Sequence, residues 1–288
     1  MVQHFAPPPA LSPFVEGFLA MSFHFESASQ QMLSARGVPM LVFPFKNPPR
    51  TSIRHGEAGS SYPHQVMDEP ALLYTSNVFC QSDFMGDVNF VMVMLKPTAA
   101  YHFTQSNVQG LSNTVATLDD LHLYQHFDAL QERLWATSAT ATAVDLIQRT
   151  LIRFFQQHAK IGVGDFAPVM NYMFRSPSLL TVHDLTRKFK CTERWLEKQC
   201  ATQTGLSPKN WLRLIRHRHA ANYWLNHPNR SWMEVVAQYR YTDQSHLIRD
   251  FKQFSGSPPA QHFLQYSDTE TGLMQDKVGL SSLIGDGG

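Results

Sequence analysis

Two short stretches of this 288-residue chain carry hydrogen-bonding side chains at helical spacing. In the first, Arg194, Glu197 and Lys198 stand at i, i+3 and i+4, so a helix would present them on one face. In the second, Gln244, Ser245, His246, Arg249 and Lys252 crowd the first turns of another candidate helix. These residue types can recognise base edges in a DNA groove. Arginine and lysine bond O6 and N7 of guanine, glutamine bonds N6 and N7 of adenine, and glutamate accepts from N4 of cytosine. Lys252, with Arg213, Arg216 and Arg218, suits phosphate contact or a solvated surface. A solvated helix face has the same composition, so the reading rests on what presents these residues. His246 has its own second reading, as the residue that fixes a helix start or touches phosphate.

The flanking sequence supplies presenters of one kind twice. A helix-turn-helix unit needs a scaffold helix, a short turn, and a second helix with an apolar back and a polar front. Val182, Leu185 and Phe189 give the first scaffold its buried stripe. Thr192 is a suitable N-cap for the next helix, Leu196 and Cys200 form its back, and Gly205 is placed to end it. Ser207-Pro208 then opens a connecting helix that carries Trp211, Leu214, Ile215 and Ala221 beside the three arginines. In the second unit Ser231 caps a scaffold with Trp232, Val235, Val236 and Tyr239. Asp243 caps the reading helix, Leu247, Phe251 and Phe254 back it, and Gly256-Ser257-Pro258 repeats the earlier ending. Two such units can enter successive major grooves on one face of DNA, roughly 34 Å apart.

At the level of motif, Asp243-Gln244-Ser245-His246-Leu247-Ile248-Arg249-Asp250-Phe251-Lys252 with Gly256 and Pro258 resembles the signature of the AraC/XylS family of bacterial transcription regulators. Leu185, Leu196, Gly205, Ser207 and Pro208 fit the first unit of that family. The resemblance covers about a hundred residues and implies double-stranded DNA and RNA polymerase as partners. The chain departs from the pattern at Lys190 and Arg240, where turn glycines are usual, at Thr186 and Val236, where alanine is usual, and at Cys200, in place of a bulky aromatic. A non-glycine residue held at positive φ costs about 1 kcal/mol.

Charge is distributed to match. Residues 165–266 hold 14 basic and 7 acidic side chains, while the chain as a whole is only +1. A basic segment between acidic ones is the electrostatic footprint of a nucleic-acid-binding module. Ahead of it, residues 39–45, 71–79 and 88–95 read as short strands of an antiparallel sandwich or small barrel. Two helices follow, one capped at Asp119 or Asp120 and carrying Leu121, Tyr124, Phe127 and Leu130, the other over residues 143–158. By the same resemblance this half is similar to the β-sandwich or cupin-like sensor of such regulators. Its aromatic and methionine-rich strands (Phe43, Phe45, Tyr74, Phe79, Phe84, Phe90, Met92, Met94) form a core or line a ligand pocket.

Other chemistry is poorly supported. His122 and His126 lack the glutamate of a zinc protease, since Leu123 intervenes. His55-Gly56-Glu57 with His64 lacks a His-x-His pair, so no metal and no cofactor are expected. Cys80, Cys191 and Cys200 are too few and too scattered for a disulfide framework. No apolar run approaches the ~20 residues that span a bilayer, and the N-terminus has no secretory pattern, so a cytoplasmic location with no membrane partner is expected. The expected fold class is α+β: a β-rich sandwich or cupin-like domain with paired helices over residues 1–160, an all-α double helix-turn-helix domain over 165–266, and a disordered tail over 267–288. The expected protein is a non-enzymatic regulator and homodimer, governed by a small-molecule effector bound in the N-terminal half. Two alternatives stay open: a cupin-type metalloenzyme fused to DNA-binding helices, and a regulator controlled by a protein partner.

Overall fold

The computed structural model describes residues 1–46, 50–56, 65–74, 77–158, 166–176, 180–227 and 230–262. Strict alternation of apolar side chains builds its N-terminal half. The strands are β1 (Val2–Phe5), β2 (Val15–Leu33), β3 (Met40–Pro44), β4 (Arg50–His55), β5 (Gln65–Val66), β6 (Ala71–Tyr74), β7 (Cys80–Leu95) and β8 (Thr114–Thr117). They join in one antiparallel sheet with the path β1-β2-β7-β3-β6-β8, and β4 pairs with both β5 and β7. Phe18, Leu41, Phe43, Val91 and Val93 point to one side of the sheet. Their neighbours Leu19, Met40, Val42, Phe90 and Met92 point to the other. This is the period-2 rule at work, and burial of both faces explains why β3 is apolar throughout.

Helices cover the first face. They are α1 (Ala99–Thr104), α2 (Asp128–Ala136) and α3 (Thr140–His158), and they contribute Phe103, Leu134, Ile147, Leu151 and Phe155 to the same core. The sheet itself closes over the second face. The first half of β7 pairs with β4 and the second half with β3, yet Ile53 and Cys80 from one end share a core with Met92 and Val42 from the other. The long β2–β7 ribbon therefore bends, and its register shifts between Phe25 and Ser29, the kind of irregularity that bends a strand pair.

The C-terminal half is helical: α4 (Ala167–Arg175), α5 (Val182–Phe189), α6 (Glu193–Thr204), α7 (Pro208–Asn226), α8 (Trp232–Gln238) and α9 (Gln244–Ser255). Helix α7 serves two cores. Its first half, with Trp211, Leu214 and Ile215, packs with Leu185, Leu196 and Cys200. Its second half, with Ala220 and Ala221, packs with Val235, Val236, Leu247 and Phe251. The small alanines of α7 make room for Val236 at this crossing. Burying each large apolar side chain here contributes ~1.5–3 kcal/mol.

Several expected boundaries are corrected. The strand expected over 71–79 stops at Tyr74, and the one expected over 88–95 begins at Cys80. Strand β2 was not anticipated, because its second half is polar. The first expected helix starts at Asp128, since Asp120 and Thr117 bond each other in a turn instead of capping. His122 has φ 55°, so His122 and His126 do not share a helix face. Among the described residues, no group of three or more histidine, cysteine or acidic residues could hold a metal ion, and no helix is long and apolar enough to cross a membrane. Glu57, His64, the linker at 161–164, parts of the breaks at 47–50, 176–177 and 226–229, and the 267–288 tail lie outside the described residues.

Four histidines sit in environments that disfavour charge. Burial holds His55, His219 and His262 down to about 4, and His217 well below its ordinary value, with the Arg218 charge adding to the effect at His219. The unfolded chain takes these protons near pH 6.5 and the folded chain does not. Stability is therefore insensitive to these groups above pH 7 and falls as pH drops from about 6.5 towards 4. Urea midpoints measured across that range should decline steadily, and a flat profile would contradict the buried neutral state.

Candidate nucleic-acid interface

Each candidate reading helix is defined at both ends by its own residues. The Thr192 hydroxyl accepts from the Trp195 amide at 3.1 Å to start α6. The Asp243 carboxylate accepts from the His246 amide at 2.7 Å to start α9. Caps of this kind contribute ~1 kcal/mol each. Both helices stop at a left-handed glycine, Gly205 with φ 66° and Gly256 with φ 79°, a conformation that costs glycine nothing. The apolar backs predicted for both helices are buried.

The turns keep their geometry without glycine. Lys190 has φ 50° and Arg240 φ 48°. In each, the amide one residue further on reaches back across the turn: Cys191 to the Thr186 carbonyl at 3.1 Å and Tyr241 to the Val236 carbonyl at 3.0 Å. This is the Schellman closure of a helix C-terminus, so hydrogen bonding holds side-chain-bearing residues where glycine would rest without strain.

Of the residues expected to read DNA, Arg194, Glu197, Lys198, Gln244, Ser245, Arg249 and Lys252 are all exposed, on α6 and α9. His246 is placed differently. Its ring is half-buried, with Nδ1 3.4 Å from the Thr242 hydroxyl and Nε2 3.3 Å from the Arg216 guanidinium. Arg213 and Arg216 are not simple surface cations. Arg213 donates to Asp250 at 2.6 Å and to Gln253 at 3.0 Å, while Arg216 lies 3.5 Å from Asp250 and stacks 4.5 Å from the Tyr241 ring centre. Arg218 is buried, donates to the Arg36 carbonyl at 3.1 Å and stacks on Phe174, so phosphate contact and a solvated position are both excluded for it as it stands.

Asp250 was missed as an organising residue. Its side chain is fully buried between α9 and α7, where burial is tolerable because two guanidiniums compensate the charge. The signal was present in the sequence: an acidic residue interrupts the apolar back formed by Leu247, Phe251 and Phe254, which is the wrong face for a solvated charge.

Behind the exposed polar faces, the N-terminal half meets the ends of both helices. Val108 N–H donates to the Thr202 carbonyl at 3.1 Å, the Tyr74 hydroxyl to Thr204 at 2.5 Å, and the Ser112 hydroxyl to Gly205 at 3.2 Å. Ala35 N–H donates to the Phe254 carbonyl at 2.6 Å, and the Ser34 and Ser255 hydroxyls are 3.1 Å apart.

Two stacked capped units with exposed polar fronts, joined by one helix behind an antiparallel β-rich half, define a DNA-binding transcription regulator. Residues 185–265 match a helix-turn-helix domain family, and residues 3–117 match a domain of unknown function, DUF6597. The former match is to a helix-turn-helix domain of the AraC type, over the same residues that carry the two capped units. No curated protein matches the chain. Among solved structures it is similar to ToxT from Vibrio cholerae O395, at 7% identity and TM-score 0.46 over 88% of this chain and 99% of that one. It is also similar to ToxT of Vibrio cholerae strain SCE256 with an unsaturated fatty acid bound, at 10% identity and TM-score 0.45 over 86% and 95%. The AraC-like transcriptional activator CuxR aligns at 12% identity and TM-score 0.31 over 75% and 84%.

Two stability measurements test the local geometry. Asp250→Asn leaves two arginines without their counter-charge and should destabilise the chain by about 3 kcal/mol in urea unfolding, at the low end for a broken buried pair because Arg213 keeps 30% exposure. A loss below about 1 kcal/mol would mark the cluster as a surface ion pair. Lys190→Gly should instead stabilise by up to about 1 kcal/mol, and a loss would show that the strain relieved is smaller than the unfolded-state entropy that glycine adds.

Proposed function

We propose that this protein recognises specific DNA sequences through α6 and α9 and is regulated from its N-terminal half. The observation that carries the reading is the pair of exposed polar fronts on two capped helices joined by the single helix α7. In the first unit Arg194, Glu197 and Lys198 are the base-reading set. In the second, Gln244, Ser245 and Arg249 read bases and Lys252 meets phosphate. His246 fixes the start of α9, and so sets the angle at which its neighbours enter the groove. Residues 1–160 act as the sensor and dimerisation domain and residues 165–266 as the DNA-binding domain. The protein is non-catalytic, works as a cytoplasmic homodimer, and activates transcription by contact with RNA polymerase.

Control by a small-molecule effector is the second part of the proposal. Its support is the set of hydrogen bonds from the N-terminal half to the ends of both reading helices. An effector with different affinity for two arrangements of that junction would shift DNA occupancy by that difference and no more.

Selection of bound fragments from genomic or random DNA supplies the operator, and Arg249→Ala tests the reading. The variant should lose about 1–3 kcal/mol on the selected duplex, with relaxed base preference at one position and little change on random DNA. Equal losses on both duplexes would reduce Arg249 to a phosphate contact.

A further inference from the structure

A cleft of about 660 Å³ opens between the two helix-turn-helix units. Helix α7 forms its floor through Lys209, Leu212, Arg213 and Arg216. Thr181, the N-cap of α5, stands on the side of the first unit, and Arg240 and His246 stand on the side of the second. The lining thus contains four permanent cations and an imidazole, and no carboxylate. The carboxylates bonded to its lining residues are engaged, Asp243 among them through the His246 amide at 2.7 Å. Asp250 lies fully buried beneath Arg213 and Arg216, and Asp184 accepts from the backbone and hydroxyl of Thr181.

We propose that this cleft is a phosphate seat for the DNA backbone strand that passes from one major groove to the next. The proposal rests on the DNA-binding reading above and extends it to a part of the surface that reads no bases. Three features favour a polyanion over a single small anion. The cations are spread along the connecting helix, from Lys209 to Arg216, and onto the turn of the second unit at Arg240, so they line a path and do not converge on one point. Lys209 and Arg240 are exposed at its rims. Arg213 and Arg216 are already oriented, the first by Asp250 and Gln253, the second by Asp250 and the Tyr241 ring. A guanidinium has five N–H donors, so each keeps donors for phosphate after holding Asp250, and little side-chain entropy remains to be lost on binding. A strand seated here fixes the register of the duplex against both reading helices, which is the role of phosphate contacts in general. Arg240 thus unites two roles, as the left-handed turn residue of the second unit and as a backbone contact.

The test uses the full chain with Lys209→Gln and Arg240→Gln combined, titrated against the selected operator and a random duplex over a salt series. Each phosphate contact removed should flatten the slope of log K against log salt by about one, so the double variant should be shallower by about two on both duplexes. Uncharged methylphosphonate linkages placed between the two half-sites should weaken the wild type to the same degree and the double variant no further. An unchanged salt slope, with operator preference retained, overturns the cleft and leaves the DNA reading intact. A wild type that selects no sequence overturns the DNA reading itself. Thermal stabilisation of the wild type but not the variant by inorganic phosphate, with DNA slopes equal, would assign the cleft to a free anion and overturn the proposal.

Discussion

A helix leaves its last carbonyls without partners, and this chain satisfies some of those at the ends of both reading helices from outside their own domain. The Thr202 and Thr204 carbonyls of α6 accept from Val108 and Tyr74, and the Phe254 carbonyl of α9 accepts from Ala35. An unmet buried carbonyl costs about 1–3 kcal/mol, so separating the halves would forfeit several such terms together with the apolar contacts around them. The fronts of the same helices need no such help, since Thr192 and Asp243 cap them locally. The arrangement divides labour along each helix: the front is autonomous and faces solvent, and the back is completed by the β-rich half.

Within the helical half, one buried carboxylate fixes the relation between the second reading helix and the connecting helix. Asp250 holds two guanidiniums of α7 at 2.6 and 3.5 Å. Both guanidiniums also line the inter-unit cleft. Structural and recognition electrostatics therefore share residues, and Arg216 also links to His246 at the start of α9.

Much of the helical half was legible because capping chemistry is local. Thr192, Ser231 and Asp243 all cap as their types and positions foretold, and Gly205 and Gly256 both terminate helices. The exposure of Arg194, Glu197, Lys198, Gln244, Ser245, Arg249 and Lys252 agrees with their helical spacing, while His246 turned inward. What escaped was long-range. That Arg213, Arg216 and Asp250 form one cluster depends on a helix crossing that no short window contains. Arg218 read as a surface cation, yet its partner Arg36 is 182 positions away. In the β-rich half, β2 was lost because its distal residues, such as Ser29 and Gln30, carry no apolar alternation. Cross-strand pairing with β7 sustains them as strand, through a ribbon much longer than either apolar segment.

The glycines that end the reading helices also limit how freely the two halves can be recombined. A methyl group at Gly205 would collide with Ser112 and the Val108 carbonyl, and one at Gly256 with Met32 and Phe79. From the other side, a methyl group at Gly37 would come within 2.6 Å of Leu214 and 2.8 Å of Trp211. The halves are therefore keyed to each other at three bare backbone positions, two on the helical half and one on the β-rich half. A chimera joining this helical half to another N-terminal half inherits a lock without its key unless the incoming surface is equally flat at those points.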